Sequence, residues 1–204
     1  LMDRRSGVTR LPTMGGGRSV VADLNRDGFP DIVFCNYIHN YPGVRAAFVY
    51  WGGPEGYQAA RRTELPTNWA SGVSAVDLNS DGYTDLVFAN QGVEPGNDDI
   101  SPPVEPHSYV YWNSAAGFDP HRRTSLRTLG ARDVAAGDFN GDRRQDLAFL
   151  LTGSGAESVR VFWGGTSDYG DGDSQPIRLS KPTRVRAFDV NRDKYTDLVV
   201  TAGD

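Results

Sequence analysis

Cys35 is the only cysteine in the chain of 204 residues, so neither an internal disulfide nor a cysteine-based metal cluster can form. No apolar run approaches the roughly 20 residues that a helix needs to cross a bilayer, which argues against membrane insertion. There is no basic amphipathic stretch and no lysine-rich tail, the features that would point to nucleic acid or a membrane surface. Histidine is scarce. His39, His107 and His121 have no partner at metal-ligand spacing, and no Gly-x-Ser-x-Gly elbow, phosphate-cradling glycine loop or Cys/His pair is present. These absences remove the common catalytic constellations and any organic cofactor. No window keeps a helical period beyond a turn or two, so helical solenoids are excluded as well.

Turn residues are abundant, with Gly 24 and Pro 12, and they separate short bursts of aromatic and β-branched residues. That pattern predicts an all-β chain. Hydrophobic residues make up 38%, enough for a packed core. Cys35 ends the burst Asp31-Ile-Val-Phe-Cys, where later copies of the same burst carry Ala89 and Leu150, and is read as a small buried apolar residue.

Those copies are internal repeats. Four nine-residue segments align, 23–31, 77–85, 138–146 and 189–197, each reading Asp-x-Asn-x-Asp-x-x-x-Asp. Their first residues lie 54, 61 and 51 apart. Three landmark tryptophans, Trp51, Trp112 and Trp163, each precede the next first aspartate by 26 residues. From first aspartate to Phe34, Phe88, Phe149 or Val200 the distance is always 11. Only the piece between that residue and the tryptophan varies, at 17, 24 and 14. One loop per unit therefore takes every insertion while the rest is held in step, as in a stacked repeat.

Each unit holds four strand-like bursts, in the first unit 19–23, 31–36, 46–51 and 62–65, here called strands A to D. Short strands at this spacing predict the four-stranded antiparallel blades of a β-propeller. The units run approximately 14–67, 68–128 and 129–180, with an incomplete fourth at 181–204 and an outer D strand at 9–13, about 3.75 blades in all. Four blades would be the low end for a closed ring. The expectation is that a longer polypeptide or a second subunit supplies the rest.

Oxygen-bearing residues at positions 1, 3, 5 and 9, with a carbonyl at 7, can wrap a hard cation that takes six to eight oxygens. Three carboxylates and an amide suit Ca²⁺, and the lack of sulfur and imidazole argues against zinc or copper. An EF-hand would need glutamate at position 12, which here is Phe34, Phe88, Phe149 and Val200. Gly28 and Gly82 at position 6 provide the positive φ of a sharp turn, while Arg143 and Lys194 replace glycine there and are expected to weaken their two sites. Twelve of the 26 acidic residues lie in these loops, so four bound ions would carry the formal charge from −5 to +3. The acidity marks ligands, not an acidic surface.

The loops, the run Asp85-Leu-Val-Phe, the run Val49-Tyr-Trp-Gly-Gly and the pairs Gly56-Tyr57 and Gly117-Phe118 together resemble FG-GAP/VCBS repeats, as in the integrin α-chain propeller and many bacterial secreted proteins. The resemblance covers nearly the whole chain. It implies an A–B hairpin that clasps Ca²⁺, up to four ions in all. The ligands it implies are Asp23, Asn25, Asp27 and Asp31 with the carbonyl of Phe29, and Asp77, Asn79, Asp81 and Asp85 with that of Tyr83. In the other two loops they are Asp138, Asn140, Asp142 and Asp146 with the carbonyl of Arg144, and Asp189, Asn191, Asp193 and Asp197 with that of Tyr195. It implies binding or adhesion more often than catalysis, and about seven blades. Extracellular modules bind calcium as weakly as about 10⁻³ M, so the expected location is extracytoplasmic: secreted, periplasmic or cell surface.

The variable B–C loops, 36–45, 90–107 and 151–157, would share one edge of the blades with the D–A connections, opposite the metal hairpins. Tyr37, His39, Tyr41, Trp69 and His107 are the candidate ligand-face residues on that edge. Trp69 stands where the other units have Gly15, Gly130 and Lys181, whereas Trp51, Trp112 and Trp163 recur and are read as packing. The expected partner is a protein or a glycan. The alternatives are the propeller portion of a carbohydrate-active enzyme of polysaccharide-lyase type, or a lectin. Convergence of tyrosine and histidine at one mouth would favour the enzyme.

Overall fold

The structure is a computed structural model and describes residues 2–3, 8–36, 46–92, 107–152, 158–165 and 169–203. The described elements are strands, apart from one 3₁₀ turn at Asp171–Asp173. The first four-stranded sheet is β3 (Gly16–Ala22), β4 (Asp31–Asn36), β5 (Ala46–Tyr50) and β6 (Arg62–Pro66); a short pair, β1 (Met2–Asp3) and β2 (Val8–Thr9), precedes it. The second sheet is β7 (Ala70–Val76), β8 (Asp85–Asn90), β9 (His107–Tyr111) and β10 (Arg123–Arg127). The third is β11 (Ala131–Gly137), β12 (Asp146–Leu151), β13 (Val159–Phe162) and β14 (Ser174–Ile177). A two-stranded sheet, β15 (Pro182–Phe188) and β16 (Asp197–Ala202), ends the series. All pairings are antiparallel between chain neighbours, so each sheet is a run of hairpins. The chain is all-β, with the four bursts of each unit where the spacing puts them.

The second strand of each unit is apolar without alternation because both of its faces are covered. β8 is buried at all six positions. Successive side chains point to opposite faces, so Leu86 and Phe88 join Leu24, Val33 and Leu65 of the first sheet, while Val87 and Ala89 join Leu147 and Phe149 of the third. A third cluster places Leu150 and Val161 against Val185 of the two-stranded sheet. Each fully buried side chain of this size is worth about 1.5–3 kcal/mol. Trp112 lies inside the cluster between the second and third sheets, and Trp51 and Trp163 pack onto the flanking ones. The recurring tryptophans are packing residues. Cys35 is completely buried, and burial pushes its thiol up to about 12, so it stays protonated.

No strand spans 9–13. Val8–Thr9 pairs with Met2–Asp3, and no strand is formed from residue 10 to 15. A strand needs a partner for its backbone groups, and β1 is the one that Val8 and Thr9 have. The stretch still occupies the place expected of it beside the first sheet. Tyr50 Oη donates to the Pro12 carbonyl as Tyr111 Oη donates to that of Pro66, and Leu11 and Met14 pack on Ala46, Phe48 and Tyr50.

The four A strands, β3, β7, β11 and β15, lie side by side and together line a cavity of about 320 Å³. Its organising residue is Asp133, which is 2% exposed. Its carboxylate accepts from Arg18 of the first sheet, from Arg186 Nη1 at 3.1 Å and from the Val185 amide at 3.2 Å. Gly72 lets β7 close on β11, since a Cβ there would lie 2.9 Å from the Asp133 Cα. No helix among the described residues is long and apolar enough to cross a membrane.

Asp133→Ala would leave two guanidinium groups and the amides of Val134 and Val185 without this acceptor. Loss of one partner from a buried pair costs about 3–5 kcal/mol; with the Arg186 side chain half exposed, the expected cost is about 2–3 kcal/mol. Urea unfolding checks it, and a change under about 0.5 kcal/mol would show that Asp133 does not tie the A strands together.

Candidate metal-binding loops

Each nine-residue loop joins an A strand to a B strand and is wound by its own side chains. In the first loop the Asp23 carboxylate accepts from the Asp27 amide at 3.1 Å and the Gly28 amide at 3.0 Å. Asn25 Oδ1 accepts from the Asp27 amide at 3.0 Å and Asp27 Oδ1 from the Phe29 amide at 2.9 Å. The same bonds recur in the other three loops on Asp77, Asn79 and Asp81, on Asp138, Asn140 and Asp142, and on Asp189, Asn191 and Asp193. Asx side chains bonding their own backbone two residues on is what makes these residues turn formers.

The ninth position works differently. Asp31, Asp85 and Asp146 are completely buried. Asp31 Oδ2 accepts from the Leu24 amide and Oδ1 from the Gly52 amide, both at 2.8 Å. Asp85 takes the amides of Leu78 and Asn113, and Asp146 those of Phe139 and Gly164. The loop is thus clipped to the residue that follows each landmark tryptophan. In the fourth unit Asp197 accepts from the Val190 amide at 2.9 Å.

The backbone of all four loops is one shape. Position 6 has positive φ throughout: Gly28 at 85°, Gly82 at 87°, Arg143 at 69° and Lys194 at 76°. The two substitutions therefore keep the turn and carry its strain. Position 4 is also left-handed, in Arg26, Ser80, Gly141 and Arg192, a requirement that the glycines at position 6 do not reveal. The third loop carried the signal, because its glycine sits at position 4 and its arginine at position 6.

The donor set suits a hard cation chemically. Among the described residues, one ion pair reaches the loop carboxylates, Arg61 to Asp27 at 3.9 Å. Burial raises the carboxyls of Asp31 and Asp146 above their ordinary value and pushes Asp85 up to about 6, with the neighbouring loop aspartates adding to each shift. Yet no three carboxylate, imidazole or thiolate side chains among the described residues meet as a metal centre would hold them. The loops have the composition and the turn of a cation site; their carboxylates are spent on amide groups in this arrangement.

Of the ligand-face candidates, His107 and Trp69 are among the described residues. Tyr37, His39 and Tyr41 lie outside the described residues, as does most of the three B–C loops. His107 begins β9, at the edge of the second sheet opposite His121. Trp69 is 6% exposed, so it offers no open stacking face. Its φ of 51° matches 60° at Gly15, 65° at Gly130 and 46° at Lys181, so all four positions share one left-handed backbone ahead of their A strands.

A family model described as an FG-GAP-like repeat matches residues 23–88 and 138–200, together more than half of the chain. Each matched stretch opens on the first aspartate of one loop and closes 11 residues past the first aspartate of the next. Among curated proteins none matches the chain.

Arg143→Gly and Lys194→Gly should each stabilise the protein by about 0.5–1 kcal/mol. The left-handed conformation costs an L-residue about 1–2 kcal/mol, and the freedom of glycine in the unfolded chain returns about 0.5–1 of that. Urea midpoints in excess chelator measure the backbone term alone; a lowered midpoint in both variants would refute it.

Proposed function

The chain belongs to the FG-GAP-like repeat family, and on that premise we propose that it is a calcium-stabilised extracytoplasmic binding or adhesion module whose sheets are blades of a β-propeller. One observation carries this: four loops hold the same four side chains in the same backbone at the same edge of their sheets. A turn needs some of those side chains. Turn formation alone does not ask for three carboxylates in every copy, where serine or asparagine would serve.

Asp23, Asn25, Asp27 and Asp31 would hold the first ion together with the carbonyl of Phe29, and the matching residues of the other loops would hold theirs. Bound calcium would neutralise carboxylates that otherwise repel one another. What the chain itself contributes is the turn, wound by each loop's own amides, and an ion would take over carboxylate oxygens that here accept from those amides. Such sites fill where calcium is plentiful, which supports a place outside the cytosol. The side-by-side A strands around one cavity support the propeller.

Chelation should lower the melting temperature by several degrees. At ten times Kd one filled site contributes about 1.4 kcal/mol, and in a chain of this size 1 kcal/mol is worth about 2–4 °C. Scanning calorimetry in calcium and in excess chelator decides it, an unchanged melt being the result that sinks the metal sites.

The partner, protein or glycan, would meet the edge that bears the B–C loops, since length varies there and nowhere else. Surface loops on a rigid scaffold are where recognition is commonly built. Shortening 90–107 to the length of 151–157 should leave the melting temperature within a degree or two and abolish binding on protein and glycan arrays probed in calcium. Retained binding would move the site elsewhere.

A further inference from the structure

On the metal-loop edge, between the second and third sheets, lies a pocket of about 660 Å³. That is within the range of small-ligand sites. Among the described residues that line it are His121, Arg122, Arg123 and Arg144, and none of those described is an aspartate or glutamate. Its described lining is cationic although the two loops it lies on each carry three carboxylates. The Arg123 guanidinium is turned away to the other face of the second sheet, stacked 4.1 Å over the Tyr109 ring and donating to Tyr111 Oη at 3.0 Å, so the cationic groups left to the pocket are His121, Arg122 and Arg144. Arg122 and Arg144 are exposed, and no ion pair among the described residues engages them. One wall is aromatic: Trp112 and Tyr169 stack with centroids 6.3 Å apart and planes 19° from parallel.

The repeat shows what the same place looks like when it is filled. Between the first and second sheets the matching positions hold Arg26, Tyr83 and Asn113. The Arg26 guanidinium lies 5.3 Å from the centre of the Tyr83 ring, and Asn113 Nδ2 crosses to the Leu24 carbonyl at 2.8 Å. Between the second and third sheets these become Ser80, Arg144 and Gly164. The bridge is gone, the arginine that capped the ring is a serine, and the ring is a guanidinium. Three differences that meet at one spot open the junction and charge it.

We propose that this pocket binds an acidic sugar residue, one bearing a carboxylate or a sulfate. A guanidinium pairs with either group through two parallel hydrogen bonds. The hydroxyls of Ser80 and Thr124, the latter accepting from Trp112 Nε1 at 2.9 Å, add oxygen for the sugar's hydroxyl groups. The choice of a saccharide over another small anion rests on the extracytoplasmic reading; the anion site itself does not. The site lies at the opposite edge from the B–C loops and does not depend on them.

Titration calorimetry of the 204-residue chain in calcium tests this with four probes: a sulfated disaccharide, a uronic-acid disaccharide, their neutral counterpart and inorganic sulfate. One or both acidic disaccharides should bind, the tighter one identifying the group, with the neutral sugar and inorganic sulfate at least tenfold weaker. Ser80→Arg with Arg144→Tyr restores two of the three first-junction residues, the arginine and the ring it caps, and it leaves the carbonyl of residue 144 in the metal loop. That double variant and Arg122→Ala should each lose at least tenfold in affinity at an unchanged melting temperature. If the double variant fails to fold, Arg122→Ala carries the comparison. No binding of either acidic disaccharide, or full affinity in the variants, overturns the site. Equal affinity for inorganic sulfate or for the neutral sugar overturns the assignment of an acidic sugar while leaving the calcium-dependent melt to judge the module itself.

Discussion

The structure hangs on a buried carboxylate. Asp31, Asp85 and Asp146 each close the A–B hairpin with one oxygen and seize the turn after the C strand with the other. This single side chain fixes three strands of a sheet relative to one another at the edge where hairpin and turn meet. It also explains why the residue after each tryptophan is held so closely. A Cβ on Gly52 would lie 2.2 Å from the Pro30 carbonyl oxygen, and one on Gly164 2.3 Å from that of Gln145. Two amide bonds pay for part of the desolvation of the charge, and the raised carboxyls show that part of it is left over. A cation in the loop would relieve that remainder, which is why the proposed ion and the clip belong to one device.

Given that clip, the rest of a unit follows from period-two geometry. B strands that begin at the clipped aspartate run inward between two neighbouring sheets, so they are apolar on both faces and read as unbroken hydrophobic runs. Insertions fall only at the far edge, between the B and C strands. The constant intervals of 11 and 26 residues and the single variable one are the sequence image of this arrangement.

Strands, loops and packing tryptophans were legible in the sequence because each recurs in every unit. The Asp133 centre was not. Arg18, Gly72, Asp133 and Arg184 occupy one repeat position, five residues before the first aspartate of each loop, and no two neighbouring units agree there. A contact made between unlike residues of different sheets leaves no periodic trace. The left-handed position 4 was hidden for a related reason, since arginine and serine occupy it in three loops and only Gly141 betrays it. The segment 9–13 was legible as a repeat and not as a strand, because the echo Thr-x-Leu-x-Thr encodes its packing on the first sheet while the hydrogen-bonding partner lies elsewhere.

A departure from the repeat is therefore not by itself a sign of function. Trp69 departs from Gly15, Gly130 and Lys181 in identity, yet all four answer one backbone demand, and the indole is buried. The departure has a local cause and nothing converges on it. Ser80, Arg144 and Gly164 are distant in the chain, and none of them is unusual alone. They face the same space, they replace three residues that interact across or cap the corresponding junction, and among the described residues no ion pair engages Arg122 or Arg144 beside them. A repeat protein buries a shared core through what its units have in common. Where several units' worth of sameness is given up at one point in space, without loss of the strands on either side, the physical cost falls on packing that the fold could have kept, and recognition of something outside the chain is the use to which such a gap can be put.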